Sequence, residues 1–216
     1  MKHLAQRSVL VLGLGESGLA MARWCARHGA VVAVWDSREA PPHRALLQAE
    51  LPAVRFFSGA LGAEHLVGVQ LVLKSPGLAP TDGRVASLLG EARQTGVAIG
   101  GELDLFARAL ADLKAERGYA PKVLAITGTN GKTTTTAMTA LLVERAGQRV
   151  AMAGNIGPTM LDTLAAALDQ EPPPTEPVAP STPPVPAPAE ADPAEEAEQG
   201  ADAPAQPLPA DRPEDV

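Results

Sequence analysis

Over the first 113 residues, short continuous apolar runs alternate with longer segments of helical composition. Ser8–Leu12 is apolar after its first residue and stops at Gly13, as expected of a strand buried on both faces of a parallel sheet. Residues 17–28 follow as a helix, with Leu19, Ala20, Trp24 and Ala26 available for packing and Gly29 as its C-terminal cap. Val31–Trp35 is the next buried strand, and Asp36 stands at its carboxyl end. Strand, glycine turn, helix and strand thus make a βαβ unit, for which a right-handed crossover is expected.

The alternation continues. Pro41-Pro42 breaks the chain before a helix over 43–50. Strands are predicted over 54–57, 69–73 and 97–99, and helices over 82–95, with Asp82 as N-cap, and over 102–111. About five strands with helices between them predict an α/β fold with a Rossmann-like, doubly wound parallel sheet. The polar segment 114–121 marks a domain boundary. A second βαβ unit begins beyond it, with a strand over 122–126, a glycine-rich loop, a helix over 133–146 and a strand over 148–151. Pro158 suits the first position of a last helix over 158–168. The expected organisation is a Rossmann-like domain over 1–113, the start of a P-loop ATPase-type α/β domain over 121–170, and a tail over 171–216.

Composition changes the picture only at that tail. Residues 171–216 hold 14 prolines, 11 acids, one base (Arg212) and no aromatic residue. Such a segment cannot bury enough apolar surface to offset the entropy of ordering, so disorder with local polyproline II character is expected. The net charge of −7 belongs to it: the other 170 residues carry 17 bases against 14 acids, a net +3. The single cysteine, Cys25, excludes an internal disulfide and reads as a packed thiol inside a helix. No stretch approaches the roughly 18 apolar residues that cross a membrane. The run Val9–Leu12 is too short for a signal peptide and ends in glycines. The chain reads as cytoplasmic.

Two glycine-rich motifs carry candidate chemistry. Gly13-Leu14-Gly15-Glu16-Ser17-Gly18 is G-x-G-x-x-G between a strand and a helix. Its glycines allow a tight turn and a close approach of phosphate to backbone N–H groups at a helix N-terminus. Asp36, 18 residues beyond Gly18, is placed to accept hydrogen bonds from a ribose. NAD is the obvious ligand, but Arg38 beside Asp36 and a stronger phosphate site downstream favour another nucleotide. Glu16 would repel a diphosphate, so its side chain is expected to point away. The second motif, Thr127-Gly128-Thr129-Asn130-Gly131-Lys132-Thr133, is a variant of G-x-x-x-x-G-K-[ST], with Ile126 at the usual first glycine. Backbone N–H groups of Gly128–Thr133 form an anion cradle, Lys132 reaches the β- and γ-phosphates of ATP, and the Thr133 hydroxyl ligates Mg²⁺. Asn155, in Gly154-Asn155-Ile156-Gly157, lies on the same sheet edge in reach of a phosphate, or else caps the helix that follows.

Two nucleotide sites in successive α/β units, the second with T-G-T-N-G-K-T, resemble the Mur ligases of bacterial cell-wall synthesis. The likeness is carried by GLGESGLA (13–20), WDSR (35–38), KSPGL (74–78), GELDLF (101–106), AITGTNGKTTT (125–135) and GNIG (154–157). It is nearest to the members that add D-glutamate to UDP-N-acetylmuramoyl-L-alanine. The resemblance implies an amide-forming ligase in which ATP phosphorylates the substrate carboxylate and the D-glutamate amine attacks the acyl phosphate. It places Gly15, Glu16 and Ser17 against the UDP part, Asp36, Ser37 and Arg38 at uracil and ribose, and Ser75 and Gly77 near the diphosphate. It gives Gly128, Thr129, Asn130, Gly131, Lys132, Thr133 and Thr134 to ATP, Thr133 to Mg²⁺, and Lys132 and Asn155 to the reacting phosphate region. The chain is expected to be a cytoplasmic monomer that binds no nucleic acid and does not insert into a membrane. The family's metal-binding Glu, its His and carbamylated Lys, and its third domain have no counterpart in the 216 residues, so the chain is expected to be partial and inactive alone. Two other readings remain open: a non-catalytic UDP-sugar or nucleotide-binding module whose tail recruits a partner, and an NAD-dependent oxidoreductase.

Overall fold

β1 (Ser8–Leu12) alternates its side chains between two cores, and this places it at the centre of the fold. Val9 and Val11 enter one cluster with Leu19, Met21 and Cys25, while Leu10 and Leu12 enter another with Trp35, Val72 and Leu88. A strand with period-two side chains and no polar face must be covered on both sides. The computed structural model, which describes residues 3–154 and 157–171, shows that cover.

The sheet adds β2 (Val31–Trp35), β3 (Arg55–Phe57), β4 (Leu71–Lys74) and β5 (Ala98–Gly100), in the order β3-β2-β1-β4-β5. Every pairing is parallel; Leu10 stands opposite Ala33 on one side and Val72 on the other. The helices are α1 (Glu16–Arg27), α2 (Arg44–Glu50), α3 (Ala86–Gln94), α4 (Glu102–Arg117), α5 (Lys132–Arg145) and α6 (Met160–Asp169). Residues of α1, α2, α4 and α6 pack in the first core, and α3 with a 3-10 turn at Ala63–Leu66 packs in the second. This is the doubly wound sheet expected from the sequence. Cys25 is fully buried, and burial pushes its thiol up to about 12, so it is an inert packing residue.

Several boundaries differ from expectation for identifiable reasons. α3 starts at Ala86 rather than 82, and Asp82 is not its N-cap. The Asp82 carboxylate instead accepts from the backbone N–H and guanidinium of Arg84. α4 runs six residues past its expected end, because Leu105, Ala109 and Leu113 continue a buried stripe at a spacing of four. It stops at Gly118, whose φ of +67 is the left-handed conformation favoured in a glycine cap. Pro158 lies outside α6, which Thr159 caps by accepting from the Asp162 N–H.

The segments 122–126 and 148–151 are not strands. Both are apolar enough, but a strand is stable only against a neighbour, and neither pairs with any described segment. Val123, Leu124 and Val150 are accordingly exposed. α5 forms but buries only Ala140, leaving Met138, Leu141 and Leu142 in solvent. α6 behaves differently and docks on the first core through Leu161 and Leu164. Arg23 on α1 bridges Glu50 and Asp162, and Arg27 pairs with Asp169. The disorder expected over 171–216 falls, from residue 172 onward, outside the described residues.

The N-terminus of α6 is tied down by Glu102, which is 7% exposed and accepts from the Leu161 N–H at 3.1 Å. Together with Thr159 this satisfies two of the four N–H groups that a helix start leaves open. Glu102→Ala is expected to lower stability by about 1 kcal/mol. Glu102→Gln, which keeps an acceptor oxygen, should recover most of it in urea unfolding.

Candidate functional site

The carboxyl ends of β1, β2 and β4 meet around a cavity of about 470 Å³. Strand order reverses between β1 and β4, and in open α/β sheets ligands bind at such a switch point. The loop after β1 contributes Gly13, Gly15, Glu16 and Ser17, and the turn after β2 contributes Asp36, Ser37 and Arg38. The turn after β4 contributes Ser75, Gly77 and Leu78. All eight residues assigned to the UDP side within the described chain therefore line one cavity. Gly154 and Thr159 also reach it. Asn155 lies outside the described residues.

The three fingerprint glycines have different physical reasons. Gly13 has a φ of +91, which turns the chain sharply out of β1. At Gly18 a Cβ would lie 1.9 Å from the Gly13 carbonyl oxygen, so only glycine lets α1 pack this close to the strand end. At Gly15 a Cβ would meet nothing within 4 Å. Its bare face is open to the cavity, and as N-cap of α1 it has no side chain competing for the first N–H groups. That is the arrangement by which backbone amides receive phosphate. Glu16, exposed in the first turn of α1, also lines the cavity, where its charge opposes that of the helix end.

The loop is held from two sides. Ser75 is buried and donates its hydroxyl to the Gly13 carbonyl at 3.0 Å. Asp36, 3% exposed, accepts from the Leu14 N–H at 2.8 Å and from the Arg38 N–H, Nε and Nη2, each at 2.9 Å. Burial alone would push the Asp36 carboxyl up; the Arg38 side chain and the Leu14 and Arg38 N–H groups outweigh it and hold it at about 2. A carboxylate has about four acceptor sites, and all four are occupied by protein donors. Asp36 thus fixes Arg38 and the glycine loop.

A second cavity of about 470 Å³ adjoins the first, sharing Ser17, Pro76 and Gly154. It runs over the ends of β4 and β5, past Lys74, Arg93 and Asp104. Neither cavity is lined by a residue of 127–134. Gly128 and Gly131 both have positive φ, +146 and +75, and Gly131 is the N-cap from which α5 starts at Lys132. Thr129, Asn130, Thr133 and Thr134 are exposed on the loop and first turn. Lys132 folds back so that its ammonium donates to the carbonyls of Gly128 and Thr129. Thr133, the residue expected to ligate Mg²⁺, offers one exposed hydroxyl in the first turn of α5. Among the described residues, no group of three or more acids, His or Cys is placed to hold a metal.

Residues 7–101 match the family described as "Mur ligase MurD-like, N-terminal domain", and residues 126–172 match "Mur ligase middle domain". The chain belongs to the Mur ligases. It is 62% identical over 166 residues to the UDP-N-acetylmuramoylalanine–D-glutamate ligase of Albidiferax ferrireducens, covering 76% of this chain and 32% of that protein. It is 59% identical over 166 residues to the ligase of that name from Cupriavidus pinatubonensis, covering 77% and 33%. The chain thus spans about a third of the length of the curated relatives it matches. Among solved structures, a pseudomurein peptide ligase type C from Methanothermus fervidus aligns at 21% identity with a TM-score of 0.43, covering 73% of this chain and 31% of that one. That likeness is too low to bear on function.

Membership in the Mur ligases decides against the oxidoreductase reading of the glycine fingerprint. No described helix of this Mur ligase chain is long and apolar enough to cross a membrane. Arg84 also lines the first cavity and had no place among the residues picked out from sequence. The signal that marks it is slight: one base in a turn otherwise made of Pro, Gly, Thr and Asp.

Proposed function

We propose that this chain is the UDP-sugar-binding part, with the beginning of the ATP site, of a cytoplasmic, monomeric ligase that joins D-glutamate to UDP-N-acetylmuramoyl-L-alanine. The observation that carries this reading is the cavity around Gly15. It joins an uncapped helix N-terminus to an Arg38 fixed by Asp36, in a chain about 60% identical to ligases of that name. The diphosphate sits at Gly15, Ser17 and the turn of Ser75 and Gly77. Ser37 and Arg38 face the nucleoside, and the sugar and its alanine extend along the second cavity. ATP occupies the loop Gly128–Thr134 with Mg²⁺ at Thr133, and transfers its γ-phosphoryl to the alanine carboxylate. The D-glutamate amine then attacks the acyl carbon and expels phosphate. Lys132 and Asn155 lower the barrier by positioning and by offsetting phosphate charge.

Segment 122–126 is unpaired and α5 is largely exposed, so the loop Gly128–Thr134 stands on an unsupported element. The 216 residues alone are therefore expected to bind UDP and not to turn over. Isothermal titration with UDP tests the first part. ADP release in the presence of ATP, UDP-N-acetylmuramoyl-L-alanine and D-glutamate tests the second, and steady turnover by the isolated chain would sink it. Lys132→Ala should leave UDP affinity within twofold, because Lys132 lines neither cavity. A tenfold loss of UDP affinity in that variant would show that the two sites are not arranged this way.

A further inference from the structure

We propose that Lys74 makes the nucleotide cavity selective for a diphosphate over a monophosphate, by holding an uncompensated positive charge on the wall between the two cavities. The proposal deepens the UDP-binding reading and rests on it.

That wall is the turn after β4. Ser75 and Leu78 line the first cavity, and Pro76, between them, lines both. The turn closes on itself where the Leu78 N–H donates to the Ser75 carbonyl at 3.1 Å. It is tied to β1 and the glycine loop, because Ser75 donates its N–H to the Leu12 carbonyl and its hydroxyl to the Gly13 carbonyl. Lys74 is the last residue of β4, half-buried after three buried apolar neighbours, and lines the second cavity. Its ammonium reaches over the turn and donates to the carbonyls of Ser75, at 3.1 Å, and Leu78. Two carbonyl oxygens that would repel an anion are thereby covered by a cation.

Lys74 differs from the other bases around the nucleotide. Arg38 and Arg84 line the first cavity, but each is closed by a carboxylate two residues away, Asp36 and Asp82. The acids of the second cavity, Glu102 and Asp104, accept from the backbone N–H groups of Leu161 and Gly101. Among the described residues Lys74 bonds only to carbonyls, so no carboxylate cancels its charge. Two of its three N–H groups are used, and the third has no described partner. An ion pair presents little net charge to a ligand, whereas Lys74 presents all of its own.

The order of parts along the nucleotide decides which phosphate meets that charge. The nucleoside lies at Ser37 and Arg38 and the sugar along the second cavity, so the phosphates are strung between them. The α-phosphate takes the open backbone N–H groups at Gly15. The β-phosphate comes next to the second cavity, at the wall that carries Lys74. A monophosphate stops short of it. Glu16 lines the first cavity from the first turn of α1 and opposes each added negative charge. Lys74 is the group placed to offset the second phosphate.

The test is titration of the 216-residue chain with UDP and with UMP. The parent is expected to bind UDP at least tenfold more tightly. Lys74→Gln keeps an N–H donor for the turn carbonyls but removes the charge. It should lose about tenfold for UDP and less than threefold for UMP, with a urea midpoint near that of the parent. Lys74→Arg restores the charge and should return UDP affinity to within threefold of the parent. Arg93→Gln removes a base that lines the second cavity from α3, away from the turn, and should leave the UDP-to-UMP ratio within twofold. The role of Lys74 is overturned, and the UDP reading stands, if the parent binds UDP without preferring it to UMP. The same holds if Lys74→Gln keeps the ratio or weakens both nucleotides equally, or if Arg93→Gln collapses the ratio as fully. If the parent binds neither nucleotide, the UDP reading falls, and this inference with it.

Discussion

Gly18→Ala is expected to destabilise the protein by about 3 kcal/mol or more, at the upper end of what overpacking costs. The added methyl would lie 1.9 Å from the Gly13 carbonyl oxygen and 2.9 Å from its carbon. Neither side has room to give. The Gly13 N–H is bonded to the Trp35 carbonyl at 2.7 Å, and the Gly13 carbonyl accepts from Ser75. α1 is in turn packed through Leu19, Met21, Ala22 and Cys25. The small gain in helix propensity on going from glycine to alanine, about 1 kcal/mol, does not offset the clash. Gly15→Ala is the control. Its φ of −88 suits any residue, and its Cβ meets nothing. It should unfold within about 0.5 kcal/mol of the parent yet lose at least tenfold in UDP affinity, because the methyl enters the space meant for phosphate. Urea unfolding and titration together separate the two glycines, and equal midpoints for the two variants would contradict the assignment.

That difference marks how far the sequence could be read. The pattern G-x-G-x-x-G after Ser8–Leu12 announced a turn and a phosphate site, because such glycines act through local geometry. The buried runs at Ser8–Leu12 and Val31–Trp35 announced a parallel sheet for the same reason: a strand with no polar face has to be sandwiched. What failed was whatever depends on a partner distant in sequence. Residues 122–126 have the composition of a strand, but composition does not supply a neighbouring strand. α6 was predicted as a helix, yet its docking through Arg23 and Arg27 joins residues 139 and 142 positions apart. Arg84 likewise bonds to Ser37, 47 positions away. Asp36 was found by its position, but its hold on Leu14 and Arg38 was not legible, since those donors come from a folded turn.

Asp36→Ala is the second large effect. Removing the carboxylate strands the buried Leu14 N–H and frees the Arg38 guanidinium at once. A hydrogen bond to a charged group is worth about 1.5–3 kcal/mol, and an unsatisfied buried donor adds its own desolvation cost, so a loss of about 2–3 kcal/mol is expected. UDP affinity should fall at least tenfold, because both the loop and Arg38 lose their anchor. The pH dependence gives an independent reading. The folded carboxyl is held at about 2 against an ordinary 3.8, so the native state stabilises the ionised form. The unfolded chain then binds the proton more readily, and stability falls with falling pH. The contribution of Asp36 is complete above about pH 5 and is lost as the pH drops from 3.8 through 2. Asp36→Asn, which can still accept from Leu14 but does not titrate, should flatten that part of the stability–pH curve relative to the parent. If the two curves ran parallel between pH 5 and 2, Asp36 would not be the clamp that holds the glycine loop and Arg38 together.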